Sequence, residues 1–392
     1  MAKKFLISGG GIAGLTLGGL LHEKGWDPII IERDPALRTE GYMMDFFGTG
    51  WDVAERIGIV DSLLTIQYPI DYMEYVDEKG KSIISIPIDR VRKDLDGKYV
   101  YLRRSDLEKI LYEWLLSLGV SVRFGSSVKT LNDTGSEVHV EFEDGSKDTF
   151  GLVFGADGVH SNIRKIVFGS EKKFEKFLGH YIAAFHTSNK YGIGRSLKIY
   201  EKPDKLGLFY PLNEKLMDAN YIFRHPNLGF IPPDQQLSLV KRQCEGMSGT
   251  AQKVLQELPS GTRIFFDSLT QIVMPNWSKG RIALLGDACG CLTPIAGQGS
   301  HMAMAGAYVL ASELERYDGE YHGAFSAYER FLKPFISKKQ KDAAKLSKTF
   351  VPSIDSNMTL RHIAIRIIFS RIFLKYGLSR FGSKSILKEY YC

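Results

Sequence analysis

Cysteine is scarce in this chain: 392 residues hold only Cys244, Cys289, Cys291 and Cys392, at spacings that build no disulfide framework. Cys289-x-Cys291 lacks a second Cys/His pair at zinc spacing, so no metal site is expected and the two thiols read as small apolar residues. Lysine and arginine outnumber the acids for a net charge of +6, yet they form no dense stripe with interleaved aromatics, and nucleic acid is not expected as a partner. Internal repeats and low-complexity segments are missing. No Ser/His/Asp set announces nucleophilic catalysis. What remains, 44% hydrophobic and 24% charged, is long enough to build two domains with their own cores.

Glycine is clustered where chemistry can use it. Lys4 to Ser8 reads as a buried strand and Ala13 to Lys24 as a helix, with Gly9-Gly10-Gly11-Ile12-Ala13-Gly14 between them. Gly9 permits the tight turn, Gly11 lets the backbone approach a phosphate, and Gly14 lets the helix pack on the strand. The free N–H groups and positive dipole end of such a helix face an anion. A second strand, Asp27 to Ile31, ends in Glu32, an acid about 20 residues past the glycines and placed for a ribose 2′-OH. A carboxylate there repels a 2′-phosphate, so the adenosine is that of FAD or NAD, and this motif does not choose between them. The alternative is an ordinary strand, turn and helix without a ligand. The apolar run after Lys3-Lys4 also imitates a secretory signal, but glycines interrupt it and its removal would delete the pyrophosphate site. A cytoplasmic protein is expected.

Further islands follow in order. Leu152 to Gly155 is an apolar strand ending in Ala156-Asp157-Gly158, and Tyr99 to Arg103 is a strand leading into a helix through Arg104-Ser105-Asp106-Leu107. Ile282 to Leu285 runs into Gly286-Asp287-Ala288, after which Pro294 and Ala296-Gly297-Gln298-Gly299 precede a helix from Met302 to Leu314. This ordered set resembles the class A FAD-dependent monooxygenases with the p-hydroxybenzoate-hydroxylase-type fold, over roughly residues 4 to 330. Gly41 to Gly48, with Asp52-Val53-Ala54-Glu55, is similar to the branch acting on polycyclic aromatic polyketides, the tetracycline destructases above all. Many relatives carry His after Gly-Asp-Ala-Ala where this chain has Cys289-Gly290, a departure that bears on catalysis at that position and not on flavin binding.

The resemblance implies an α/β fold: a Rossmann-like doubly wound FAD domain with an inserted β-sheet substrate domain and C-terminal helices. FAD-binding segments are expected at 1–72, 101–176 and 268–335, substrate-domain segments at 73–100 and 177–267, and a C-terminal helical lid at 336–392. Alternating or aromatic runs at Tyr181 to His186, Ser196 to Tyr200, Leu206 to Tyr210 and Ala219 to Arg224 indicate a mixed or antiparallel sheet, to which Ile70 to Asp94 adds strands. In the family such a sheet roofs the substrate cavity. Tyr328 to Thr349 reads as a Lys-rich helix broken by Pro352, and Leu360 to Leu374 spaces Arg361, Arg366 and Arg371 between apolar residues. A membrane-surface role is the lesser reading of that last helix; packing its apolar face on its own protein is the greater. Either it or Ser383 to Tyr391 is the candidate lid across the substrate entrance.

The implied activity is an FAD-dependent, NAD(P)H-consuming monooxygenation of an electron-rich polycyclic aromatic or enolic substrate through a C4a-hydroperoxyflavin, with inactivation of tetracyclines as its outcome. NADPH is expected as a transient co-substrate beside O2, because only one full dinucleotide fingerprint is present. A monomer is expected. The chemistry is flavin-borne, so no side chain is expected to be catalytic, and Arg104 is expected to tune the flavin by charge. The expected cofactor residues are Gly9, Gly11, Ala13, Gly14, Glu32, Arg33, Asp45, Arg104, Asp157, Gly286, Asp287, Pro294, Gly297, Gln298 and Gly299. Alternate-residue arithmetic points His186, Tyr210, Phe223 and Arg224 at the substrate. Three alternatives stay open: Arg104 as a surface ion pair with Asp106, Asp287 as a helix N-cap, and Asp157 as a brace of its own turn. Two other classes also stay open, a flavin reductase or dehydrogenase of the geranylgeranyl-reductase type and a flavin-free binder of the GDP-dissociation-inhibitor type.

Overall fold

The computed structural model describes residues 4–39, 41–68, 70–370 and 384–390. Its first layer is a six-stranded sheet in the order Ser278–Lys279, Ile282–Leu284, Leu152–Gly155, Lys4–Ser8, Asp27–Glu32 and Val122–Phe124. All pairs are parallel except the first. Leu6, Ile7, Val153, Phe154, Ala283 and Leu284 are buried because both faces of the sheet are packed over, which is why these strands read as unbroken apolar runs. The chain leaves Lys4–Ser8 toward Asp27–Glu32 on one side and returns much later as Leu152–Gly155 on the other. The crevice between these two strand ends is therefore a topological switch point, where open α/β sheets take their ligands. Helix Ile12–Glu23 starts there and is buried from Ile12 to Leu21, held between helices Arg104–Ser117 and Gly299–Arg316.

The second layer is a seven-stranded sheet: Phe265–Ile272, Glu175–Ser188, Leu216–Arg224, Lys205–Pro211, Ser196–Lys202, Tyr72–Val76 and Ser82–Pro87. It is antiparallel except where Ser196–Lys202 meets Tyr72–Val76. One face packs Tyr181, Phe185, Phe209, Tyr221 and Phe223 against helices Pro233–Gln243 and Gly249–Glu257. The other face carries Ile182, Leu197, Ile199 and Ile222 toward the nucleotide layer. All five expected segment boundaries fall inside single elements. Strand Tyr72–Val76 crosses 72/73, strand Tyr99–Arg103 crosses 100/101, strand Glu175–Ser188 crosses 176/177, strand Phe265–Ile272 crosses 267/268, and helix Tyr321–Phe350 crosses 335/336. The two layers share long elements, so composition changes along the chain earlier or later than the backbone does. A ribbon of Met43–Phe47 and Tyr99–Arg103 pairs Asp45 with Tyr101 and bridges the layers, and a meander over Val128–Asp133, Val138–Phe142 and Lys147–Phe150 packs Val128, Val138, Val140, Phe142 and Phe150 into the core of the first layer.

Helix Tyr321–Phe350 ends before Pro352 and carries Phe350 to the roof sheet's inner face. Helix Met358–Ile368, capped by Asn357, sets Ile365 against Ile84 and Ile86 as the amphipathic pattern expects, and is also tied down by its polar residues. Arg361 and His362 bond the buried Glu201, and Arg366 donates to the Ile83 carbonyl, leaving Leu360 at 63% exposure and Ile367 at 50%. Of the two lid candidates, the first continues past residue 370 and so lies partly outside the described residues. The described part of the second packs away from the roof: Tyr390 donates to Glu313 and Ile386 to Thr49. No helix of the described residues is long and apolar enough to cross a membrane.

Candidate functional site

The Gly9–Gly14 turn leaves the sheet at the switch point with backbone geometry that only glycine tolerates. Gly9 has φ +118°, and a Cβ there would stand 2.4 Å from the Ala156 carbonyl oxygen; one on Gly14 would stand 1.9 Å from that of Gly9. Gly11 differs. A Cβ there meets only the ends of Glu108 and Arg104, at 3.3 and 3.7 Å, so its open side faces a trough. The trough, about 170 Å³, is lined by Gly9, Gly10 and Gly11, by Glu32 and Arg33, and by Ser126, Asp157 and Arg104. Both oxygens of Glu32 accept backbone N–H groups, Gly10 at 2.8 Å and Asp34 at 3.0 Å, so the acid also fixes the loops that flank the trough.

Asp157 is engaged in the same manner. One oxygen accepts the Ser161 hydroxyl at 2.5 Å and the other the Ile163 N–H at 2.9 Å. It braces its own turn while lining the trough, and burial pushes its carboxyl upward. Arg164, buried one turn on, donates to the Ala288 carbonyl at 2.9 Å and ties this turn to the Gly286-Asp287 turn. Asp287 makes no cap bond. The N-cap of helix Asp287–Gly290 is Gly286, at φ +62°, with its would-be Cβ 3.0 Å from that of Ala13. Asp287 instead lines the continuation of the trough, its carboxyl raised by burial and lowered by Arg104 and Cys291. Arg104 pairs with Glu108 at 2.8 Å; its neighbour Arg103 is the one that takes Asp106, at 2.6 Å. Arg104 thus opens on the trough and not on solvent with Asp106, and Glu108 holds its charge in place.

Past Arg104 the trough widens into a cavity of about 350 Å³. Ala13, Arg104, Asp287, Pro294, Gly297, Gln298 and Gly299 line its floor; Ile182, Leu197, Ile199, Leu208, Tyr210, Asn220 and Ile222 line its roof. Phe350 and Phe369 close one side. Tyr42, at the mouth, also borders a second cavity beneath Phe265 and Asp267, and its ring lies 5.7 Å from that of Phe265. Of the four residues expected at the substrate, Tyr210 reaches the cavity. Phe223 does not: it stacks on Tyr181 at 5.8 Å on the helix-covered face. Its strand alternates as expected, but the cavity parity belongs to Asn220 and Ile222, because the aromatic face was the one buried under helices. Arg224 pairs with Asp204 at 2.8 Å and donates to the Val351 carbonyl, beyond the cavity's end. His186 stands 3.5 Å from Asp218 and does not line the cavity either.

Residues not singled out by sequence complete the site. The buried hydroxyls of Ser126 and Thr293 have no hydrogen-bond partner among the described residues, one on the trough wall and one on the cavity wall. Thr293 is 4% exposed and held at φ +77°, a rare conformation for a β-branched residue. Its place between Cys291 and Pro294 was the only signal. Cys289 and Cys291 are buried, with thiols pushed up by burial. Lys339 donates to the Gln298 side chain from the long C-terminal helix, and His301 on the adjacent helix accepts the Phe47 N–H at 3.1 Å, its ring pushed down to about 3 by burial and by Lys339.

The parts fit FAD: a glycine cradle at a helix N-terminus, an acid at the second strand's end, an unpartnered buried hydroxyl in each chamber, and a cavity next to the dinucleotide trough. The comparisons agree. The sequence pattern of the FAD binding domain matches residues 3–323. A flavin-dependent monooxygenase from an unknown prokaryotic organism is 31% identical over 352 residues, 89% of this chain and 90% of that one. Tetracycline destructase Tet(51) superposes with a TM-score of 0.82 at 29% identity, covering 96% of this chain and 98% of its own. Tetracycline destructase Tet(55) gives 0.84 at 27% identity and 98% of both chains. The dehydrogenase and flavin-free alternatives give way to these likenesses. The chain belongs to the FAD-binding-domain family and is a class A flavin-dependent monooxygenase.

Proposed function

We propose that this monooxygenase hydroxylates a large, electron-rich phenolic or enolic polycycle, that tetracyclines are substrates, and that NADPH is the reductant. The carrying observation is the junction at Arg104, where the dinucleotide trough opens into an aliphatic cavity with tyrosines and the amides of Asn220 and Gln298 on its walls. The likeness to two tetracycline destructases supports the choice of polycycle. When bound, FAD supplies the oxygen activation that no side chain of this cavity offers.

The chain's own residues do the rest. The Gly9–Gly11 backbone and the N-terminus of helix Ile12–Glu23 would hold the pyrophosphate, and Glu32 with Ser126 the adenosine ribose. Arg104 would offer positive charge to the isoalloxazine end, kept aimed by Glu108. Asp287 and the Pro294–Gly299 loop would shape the flavin's edge, and Lys339 clamps that loop through Gln298. Phe350 and Phe369 would keep water from the cavity once a substrate fills it. In this reading the helix Met358–Ile368, not the terminal segment, serves as the lid.

The test is consumption of tetracycline by the purified, FAD-loaded enzyme under NADPH and oxygen, with product mass read for one added oxygen atom. Oxygen-dependent NADPH use without tetracycline loss would discard the substrate and keep the reaction class.

A further inference from the structure

The roof of the cavity is largely aliphatic, with Ile182, Leu197, Ile199, Leu208 and Ile222 on it, and strand Leu216–Arg224 interrupts that surface with an acid and an amide two residues apart. Strand alternation puts Asp218, Asn220 and Ile222 on one face. The register sets Asn220 between Ala184 and Leu208, and Asp218 between His186 and Tyr210. Asn220 lines the cavity; Asp218 is fully buried and does not. The two are joined, Asn220 Nδ2 donating to Asp218 Oδ2 at 2.7 Å. Four elements surround the acid. They bring the His186 ring, with Nε2 at 3.5 Å from Oδ1, Tyr210 across the ladder, the Met43 backbone N–H, and Arg103, which is paired with Asp106. Burial outweighs them and pushes the carboxyl up to about 7, while the partly exposed His186 gives the acid a neighbour that reaches solvent.

We propose that Asn220 is the specificity-determining group of the roof and Asp218 its positioning residue: the carboxylate holds Nδ2, so Oδ1 is turned to the ligand and selects a hydroxyl, enol or N–H donor over an acceptor. This rests on the cavity being the substrate site. The physical reason is that an amide has a donor end and an acceptor end, and a buried anionic neighbour fixes which end it takes. A ligand that offers only an acceptor leaves the buried Oδ1 without a hydrogen bond, and a site built to bond an O–H rejects the analogue lacking it. When Asp218 takes up a proton its O–H becomes a donor, the amide turns Oδ1 to it, and Nδ2 faces the cavity instead. The substrate class that follows is a fused-ring phenol or enol that presents its O–H to the roof, in preference to the same skeleton as an ether, ketone or quinone.

The experiment is equilibrium binding to the oxidised FAD-loaded enzyme, read by perturbation of the flavin absorbance. A naphthol and its methyl ether, one a donor and the other an acceptor only, are compared between about pH 5.5 and pH 8. The wild type is expected to favour the naphthol by about 10-fold at the upper end and by about 3-fold or less at the lower. Asp218→Asn is expected to give a ratio that does not change with pH, which a merely structural role for the acid would not produce. Asn220→Leu is expected to bring the two ligands within about 2-fold at every pH. The wild-type pH profile decides the matter by itself, should either variant fold poorly. A wild-type ratio that is flat or rises as pH falls, or a pH-dependent ratio that survives Asp218→Asn or Asn220→Leu, would overturn the proposal. Such a result beside consumption of tetracycline leaves the proposed reaction standing and removes this assignment alone. Failure of both ligands to bind at any pH removes the assignment together with the cavity as the substrate site.

Discussion

A Cβ on Gly14 would lie 1.9 Å from the carbonyl oxygen of Gly9, whereas one on Gly11 would meet nothing nearer than a side-chain oxygen at 3.3 Å. The two glycines of one motif therefore act on different states of the protein. Gly14→Val is expected to move the nucleotide helix off its strand and to cost about 3 kcal/mol or more of stability. Gly11→Val is expected to melt near the wild-type temperature and to come off a desalting column colourless. Parallel thermal melts and flavin absorbance separate the two effects; a yellow Gly11→Val protein counts against the trough as the pyrophosphate site.

Asp287 makes no cap bond, and among the described residues it answers chiefly to the Arg104 charge and to Cys291, so its removal should be felt by the cofactor. Asp287→Ala is expected to weaken FAD binding by about 1.5–3 kcal/mol with little change in the apoprotein's melt. Titration of apoprotein with FAD, followed by fluorescence quenching, measures it. Unchanged affinity would assign Asp287 to the turn alone.

Asp218 is fully buried in the roof sheet, and burial pushes its carboxyl up to about 7. Asn220 donates to it at 2.7 Å, which offsets only part of that effect. A raised folded-state value stabilises the protein below the unfolded carboxyl range, near about 3.9, and that contribution is lost as pH rises toward 7. Asp218→Asn carries no such loss. Its stability relative to the wild type should therefore grow between pH 5 and 8, by about 1–3 kcal/mol. Urea melts across that range check the sign, and a difference that is flat or shrinks with pH refutes the assignment.

Phe350 and Phe369 come from separate C-terminal helical segments and meet at the cavity wall. Replacing both with Ala should leave FAD bound but admit water, so that more of the NADPH consumed appears as hydrogen peroxide and less as product. The ratio of peroxide to product is the measurement. Full coupling in the double variant would exclude these rings as the seal.

The cofactor half of the site was legible because its signals are local. Strand, glycine turn and helix follow one another from Lys4 to Glu23, and the geometry that Gly9 and Gly14 require is set by neighbours a few residues away or by one adjacent strand. The substrate half was not. Choosing Phe223 over Ile222 was a question of parity, and parity alone does not say which face of a sheet a helix pair will cover. Arg103 and Arg104 are equally basic and adjacent, yet a helix start sends one to Asp106 and the other to Glu108 and the trough.

By itself the sequence determined that this chain folds around a dinucleotide, since the spacing of Gly9, Gly11, Gly14 and Glu32 acts over distances the local backbone controls. Tertiary structure alone decided what the second chamber looks like. Asp45, Tyr210, Thr293, Phe350 and Phe369 are far apart in the chain and line one cavity only through strand register and helix docking. Those are sums of many weak contacts across the whole core, and no single stretch of sequence carries them.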